Sequence, residues 1–334
     1  MDFTFHAIAE DEPGAKWRAL FDRFWPAYER WFMRDGDRAR PRYLSSLRAL
    51  RTHMPEIVPT YERLVELAGN TDVIARFMSS FCPPSYLIAC SQAVWSGDPA
   101  FLVRNYDYSP QLYEGVIFKS AWNGRQVISM NDCLWGSLDG INEDGLAVSL
   151  SFGGRQVVGA GFGVPLVLRY ILEFCTTTDD ATSVLERIPV HMSYNVTVLD
   201  ASAKFATAYL RPDQPALIRA VPYAANHQED IEWEQHARAT ATLARERFLY
   251  AQLRGGARDP DAFVNSFLNP PLYSNAFASG YGTLYTAVYR PLERSVEYRW
   301  PDGQWRFGFD AFAEGTRTFR LSSAADTGVA AGVR

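Results

Sequence analysis

The chain of 334 residues is poor in the features that usually announce a site. It has five histidines and four cysteines. Cys82, Cys90, Cys133 and Cys175 form no CxxC pair and no close Cys/His set, so no zinc site and no other cofactor is expected. No run of about 18 apolar residues is present, which argues against a membrane-spanning helix. There is no basic excess: 33 Lys and Arg face 38 Asp and Glu, giving a formal charge of -5 that speaks against a nucleic-acid surface. Met1 to Ala15 holds Asp2, Glu10, Asp11 and Glu12 but no apolar h-region, so it does not read as a secretory signal. Repeats and low-complexity segments are lacking. The Gly153-Gly154 and Gly159 to Gly163 stretch lacks the Lys-Ser/Thr of a phosphate loop and reads as a mobile loop. A reducing cytoplasm with free thiols is the expected setting.

Apolar residues are plentiful. The hydrophobic share of 47% and aromatic share of 14% supply enough material for a large core. Residues 1 to about 80 read as helical. Trp17, Leu20, Phe21, Phe24 and Trp25 recur at three- and four-residue steps, and Tyr28 and Phe32 continue the stripe. Further helices are predicted near Pro41 to His53, over Pro59 to Ala68, and from an N-cap at Thr71-Asp72 toward Phe81. Cys82-Pro83-Pro84 breaks the pattern.

From Leu87 the texture changes to short apolar runs between turns. Ala93 to Trp95, Phe101 to Tyr106, Val116 to Phe118, Gln126 to Met130 and Leu146 to Phe152 read as strands, several of them antiparallel neighbours. Gly140 to Leu146 carries turn chemistry, in which Asn142 is structural. Helices are predicted over Pro165 to Cys175, Thr178 to Arg187 and Gln228 to Leu253. Strands are predicted over Asn195 to Leu199, Phe205 to Leu210, Thr283 to Tyr289 and Ser295 to Trp300. The tail from Ser322 to Arg334 reads as frayed. The fold class is α+β, a helical leader before a body of antiparallel sheet, with the change near residue 85.

At that change lies the text that carries chemistry: Ile88-Ala89-Cys90-Ser91-Gln92, a turn at Ser96 to Pro99, then Arg104-Asn105-Tyr106-Asp107-Tyr108. A thiol, a guanidinium and a carboxylate on one hairpin suit a nucleophile. Arg104 and Asp107, three residues apart on a strand, point to opposite faces unless a bulge or strand end intervenes. Without one, they read as a surface ion pair. A lone Cys90 after Leu-Ile-Ala also fits a buried small hydrophobe. Cys82, Cys133 and Cys175 read as core thiols. Asn226-His227 reads as a loop-to-helix junction, capping or facing a substrate.

Ala-Cys-Ser, Val-Arg-Asn-Tyr-Asp-Tyr, Asp-Gly-Ile-Asn-Glu-Asp-Gly-Leu and Tyr-Asn-Val-Thr-Val-Leu-Asp occur in that order between Cys90 and Tyr289. This set resembles the isopenicillin-N acyltransferase family of cysteine N-terminal-nucleophile hydrolases. The choloylglycine hydrolases and penicillin V acylases are more distant relatives. The resemblance implies a four-layer αββα sandwich. It also implies self-cleavage between Ala89 and Cys90, giving a leader of residues 1–89 that stays bound as a heterodimer partner to a catalytic chain of residues 90–334. It implies Cys90 as nucleophile, Arg104 beside the thiol, Asp107 holding the new α-amino group and Asn195 as an oxyanion donor. Arg247, within Glu246-Arg247-Phe248, matches a family arginine. Ser151 stands where bile-salt hydrolases carry Asn, so that part of the oxyanion hole is left to a backbone N–H or the Ser151 hydroxyl.

The chemistry is self-consistent. A thiol with a pKa of about 8.5 becomes a better nucleophile beside a cation. A free α-amine titrates at about 7.7 to 8.0, so an N-terminal cysteine carries its own base and needs no histidine. The implied substrates are a small amide, or an acyl thioester with an amine acceptor, handled through an acyl-thioester enzyme. Two alternatives stay open. One is a Cys–His thiol hydrolase that uses His191 or His227 without cutting the chain. The other is a non-catalytic α/β binding protein with a structural Cys90.

Overall fold

The computed structural model describes residues 2–86, 89–255 and 259–321. The expected tail over Ser322 to Arg334 lies outside the described residues.

The leader does not begin as a helix. Its first element is a strand, β1 (Asp2–Ala9), whose alternation turns Phe5 and Ala7 into the core. Four helices follow: α1 (Ala15–Phe32), α2 (Tyr43–His53), α3 (Val58–Leu67) and α4 (Asp72–Met78). In α1 the predicted stripe faces inward, with Trp17, Leu20, Phe21 and Phe32 buried. Thr71 caps α4 by accepting the Ile74 N–H.

The body opens with the hairpin β2 (Ala89–Trp95) and β3 (Phe101–Tyr108). A meander follows: β4 (Val116–Ser120), β5 (Val127–Asp132), β6 (Gly136–Asn142) and β7 (Ala147–Phe152). The predicted turn is confined to its second half, because β6 runs to Asn142. Asn142 Oδ1 accepts the Leu146 N–H at 2.9 Å, and Gly145 takes the left-handed φ of 85° that the turn requires. Helices α5 (Val164–Phe174) and α6 (Thr178–Arg187) come next, the second opened by a Thr177–Asp180 capping box. Then come β8 (Tyr194–Leu199), β9 (Phe205–Arg211), β10 (Gln214–Arg219) and the two-residue β11 (Tyr223–Ala224).

The single helix predicted over Gln228 to Leu253 is two, α7 (Glu234–Ala239) and α8 (Thr242–Arg254). Ala241, in the left-handed region at φ 50°, breaks them. After α9 (Pro260–Ser266) the chain ends in β12 (Gly282–Arg290), β13 (Ser295–Trp300), β14 (Gly303–Gly308) and β15 (Gly315–Arg320).

The strands form two sheets. One has nine strands in the order β10-β9-β8-β7-β6-β5-β4-β1-β15, and the other six in the order β11-β2-β3-β12-β13-β14. The sheets face each other through β2 and β7. Helices α5 and α6 cover the outer face of the first, and α8 covers β2 and β11 on the second. This is the expected αββα layering. Strands β5 to β8 are buried along their whole length, because one face meets a helix layer and the other meets a sheet. The leader is built into this frame: β1 lies between β4, which it pairs in parallel, and β15, which it pairs antiparallel. The glycine stretch expected to be a mobile loop is irregular backbone, exposed at Gln156, Val158 and Ala160 and packed at its far end. Phe162 bridges Phe81 of the leader and Val190, and Gly161 O accepts the Cys82 N–H.

Candidate active site

Cys90 lies near the start of β2, directly opposite Tyr106 on β3, with Gln92 opposite Arg104. Opposed residues of an antiparallel pair share a face. Cys90, Gln92, Arg104 and Tyr106 therefore all look toward the nine-stranded sheet. Gln92 crosses to it, donating to Asn195 O at 3.0 Å and accepting from Ser149 Oγ at 2.5 Å. Arg104 Nη2 donates to Cys90 Sγ at 3.2 Å. Its Nη1 donates to Leu138 O at 3.0 Å and forms a fully buried ion pair with Asp139.

The alternate residues look the other way, into the helix layer. Asp107 pairs with Arg245 of α8 at 2.5 Å and accepts from Thr283 Oγ1 at 2.6 Å. The β2–β3 register runs without interruption; the bulge is on β12, between Thr283 and Tyr285. Arg104 and Asp107 thus do face opposite sides. Neither is at the surface, and each forms its own buried ion pair instead of one with the other. Asp107 lies opposite Ala89. The Ala89–Cys90 peptide consequently has the guanidinium on one face and the carboxylate on the other.

Cys90 is fully buried. Burial pushes its thiol above the ordinary range, against the pull of the Arg104 charge. The cation expected to activate the sulfur does not outweigh desolvation.

The backbone of Cys90 is clamped by Asn226, expected to cap a helix or face a substrate. Cys90 N donates to Asn226 Oδ1 at 2.9 Å, and Asn226 Nδ2 donates to Cys90 O at 3.0 Å. Asn226 follows β11, which pairs with β2, and Thr242 Oγ1 accepts its backbone N–H at 2.7 Å. The expected oxyanion pair supports this segment. Asn195 Nδ2 donates to Ala225 O and His227 O, both at 2.9 Å, on either side of Asn226. Ser151, opposite Asn195 across β7 and β8, donates to Ala225 O at 2.6 Å. The N–H groups of Asn195 are therefore spent on carbonyls.

Arg247 is exposed on α8, while Arg245, two residues earlier, reaches Asp107 and comes within 3.4 Å of Ser91 Oγ. Among the described residues neither candidate histidine contacts the thiol. His227 is held by Thr242 at 2.8 Å and Glu246 at 3.2 Å, and His191 by Gly159 O at 2.9 Å. No described group of His, Cys, Asp and Glu side chains is arranged to hold a metal, and no described helix is long and apolar enough to cross a membrane.

A cavity of about 710 Å³ adjoins the hairpin. Phe24, Tyr28 and Trp31 of α1 form one wall; Tyr86, Tyr108 and Tyr281 contribute others. Tyr281 feels the charges of Asp107, Arg245 and Cys90, while Cys90 itself is buried behind the cavity lining. Cys133, expected in the core, lines the cavity next to Asp132. Burial, then the nearby Glu114, push the Asp132 carboxyl up to about 7.

Two facing antiparallel-rich sheets between helix layers define the class by fold: the α+β sandwich of the N-terminal-nucleophile hydrolases. The chain belongs to the acyl-coenzyme A:6-aminopenicillanic acid acyl-transferase family, whose profile matches residues 95–305. That span includes Arg104, Asp107, Asn195, Asn226 and Arg245 and begins five residues after Cys90. A search of curated proteins returned no match. Among solved structures, a mutant conjugated bile acid hydrolase from Clostridium perfringens is 12% identical, covering 70% of this chain and 97% of its own, at a TM-score of 0.46. Penicillin V acylase from Agrobacterium tumefaciens is 14% identical over 70% of this chain and 92% of its own, at 0.41. The Caenorhabditis elegans ortholog of N-acylethanolamine-hydrolyzing acid amidase is 16% identical over 69% and 100%, at 0.46.

Proposed function

We propose that this chain cuts itself between Ala89 and Cys90 and then works as an amidohydrolase or acyltransferase through a Cys90 thioester. The supporting observation is that Cys90 is held at both ends, its sulfur by Arg104 and its N–H and C=O by Asn226. In maturation, Sγ attacks the Ala89 carbonyl and the acyl group moves from nitrogen to sulfur. Water then hydrolyses the thioester, leaving a carboxylate on Ala89 and a free thiol and amine on Cys90. In turnover the α-amine accepts the thiol proton as Sγ attacks the substrate carbonyl, and returns it to the leaving amine. Water or an amine acceptor resolves the thioester.

Asp107 and Asn226 Oδ1 flank the new amine and orient it. Asn226 Nδ2 spends one N–H on Cys90 O and keeps the second for the oxyanion, and one such donor is worth about 10²- to 10³-fold in rate. Asn195 and Ser151 serve by holding the Asn226 segment. The substrate is a small amide or acyl thioester with a largely apolar part, which suits the aromatic walls of the cavity. The leader remains as a subunit, because β1 is an inner strand. The free thiols suit a reducing compartment such as the cytoplasm.

Intact-mass measurement of freshly purified protein tests the reading. The expected result is two associated fragments, 1–89 and 90–334, and a Cys90→Ala variant that stays whole. An unbroken chain that hydrolyses amides overturns it in favour of a Cys–His enzyme, although both histidine rings are engaged elsewhere. An unbroken chain with an inert Cys90 leaves a binding protein.

A further inference from the structure

We infer that Asp139 is a positioning residue for the nucleophile: it aims the Arg104 guanidinium at Cys90 and sets how much of that cation the sulfur receives. The inference rests on the reading of Cys90 as the nucleophile.

Asp139 lies in β6, in the middle of the nine-stranded sheet, and is fully buried. It reaches across the layer between the sheets to Arg104, which is equally buried. Its second commitment is to tyrosines of the other sheet. Oδ2 also accepts from Tyr285 Oη at 2.5 Å, and Oδ1 accepts from Tyr289 Oη. Tyr289 Oη in turn lies 3.3 Å from Tyr298 Oη. The carboxylate is thus fixed from several directions before it meets the arginine.

The guanidinium is planar, so fixing one nitrogen fixes where the others point. Nη1 is taken by Asp139, Leu138 O and Tyr285 Oη, all on the far side from β2. Nη2 is left directed at Sγ. Without Asp139 the guanidinium keeps Leu138 O, Tyr285 Oη and the Tyr106 ring it already overlies at 4.8 Å, so its charge stays beside the sulfur while the direction of Nη2 is freed.

Charge makes the second half of the case. Asp139 sets an opposite charge against the guanidinium that touches the sulfur, so it offsets part of the field that the sulfur receives. The other groups whose charge reaches the thiol are Asp107 and Tyr106 of β3, Arg245 of α8 and Tyr281 ahead of β12. Asp139 differs from them in acting through Arg104. A carboxylate that merely balances a buried arginine would govern stability alone. One that aims and shares the cation would govern thiol titration and turnover.

The experiment uses the matured full-length protein, after intact mass has confirmed the cut. Asp139→Asn should lower kcat about 10- to 100-fold with KM within about twofold. The midpoint of iodoacetamide inactivation against pH should fall by about one unit, a roughly tenfold gain in thiolate below it. Asp139→Glu keeps the charge but not the reach, so kcat should drop while the midpoint stays. Tyr289→Phe should lower kcat about fivefold, the value of one hydrogen bond. The inference is overturned if Asp139→Asn titrates and turns over like wild type. Where Asp139→Asn does not fold or mature, unchanged kcat in both Asp139→Glu and Tyr289→Phe overturns it. A wild-type chain that works uncut overturns the underlying reading instead, and intact mass reveals that before any variant is made.

Discussion

One strand carries two buried ion pairs of opposite polarity, and the difference between them explains the site. On the inter-sheet face β3 supplies the cation, Arg104, and the opposing sheet supplies the anion, Asp139. On the helix face β3 supplies the anion, Asp107, and α8 supplies the cation, Arg245. The first pair touches the sulfur; the second flanks the peptide that would become the amine. Period-two alternation, which looks like an obstacle to a shared site, places one charge of each sign on either side of Cys90. The pairs also differ in support. Asp139 has two tyrosine hydroxyls besides its arginine, whereas Asp107 has one threonine.

Breaking the inter-sheet pair should have the largest effect. Arg104→Met strands Asp139 in a dry layer, and removing one partner of a buried pair costs about 3–5 kcal/mol. Urea unfolding should report that loss, and kcat of any matured protein should fall at least about a hundredfold as the thiol loses its cation. Retained kcat in a destabilised Arg104→Met protein would reduce Arg104 to a counter-ion. Arg245→Met should cost less, about 3 kcal/mol, because Thr283 still donates to Asp107 and α8 borders the outside. Its main effect should be on the self-cleavage rate, followed by gel. Equal effects of both variants on iodoacetamide titration would erase the distinction drawn between the two faces.

These pairs also mark what could be read from the residues. The spacing of Cys90, Arg104 and Asp107 was legible because all three lie on one hairpin, where register is local. Arg245 was within reach too. Thr242, Arg245 and Leu249 are buried at helical spacing on α8, and Arg247 falls off that stripe. A motif match two residues out of register outweighed the periodicity. Strand β1 was legible as alternation at Phe3, Phe5 and Ala7, but the Trp17 stripe beyond it set the reading of the whole leader. The break at Ala241 leaves no mark, since alternating Ala and Thr is compatible with helix. Asp139 stands inside a family-like motif and Asn226 at a predicted junction, but the partners of neither could be read. Their roles come from strands and loops far away in sequence, brought together by sheet order, and no local signal separates them from a turn or a cap.

A second acid–base contrast gives smaller effects. Asp107 and Asp139 are each neutralised by an arginine, whereas Asp132, beside the cavity, has Glu114 as its charged neighbour and titrates at about 7. An unfolded aspartate titrates at about 3.9. Across that window the folded chain holds a proton that the unfolded chain has lost, so stability should fall as pH rises from about 4 to about 7, at up to about 1.4 kcal/mol per unit. Asp132→Asn does not titrate and should flatten the slope. Glu114, also raised by burial, leaves a remainder of the same sign. Identical slopes for variant and wild type, in urea titrations at several pH values, would remove Asp132 from the account.

The smallest expected effect tests whether the leader belongs to the site or only to the core. Tyr28 of α1 donates to Glu114 Oε1 at 2.6 Å and accepts the Cys133 N–H at 3.0 Å, joining the leader to the carboxyl pair beside the cavity. Tyr28→Phe keeps the ring against Phe77 and removes only the hydroxyl. Stability should drop by about 1 kcal/mol, the usual net value of one hydrogen bond. Because Tyr28 also lines the cavity, KM should rise a few-fold while kcat and the rate of self-cleavage hold. A change confined to stability would make α1 plain packing. A change in KM would make the leader a contributor to substrate binding, consistent with a β1 strand that cannot leave without opening the nine-stranded sheet.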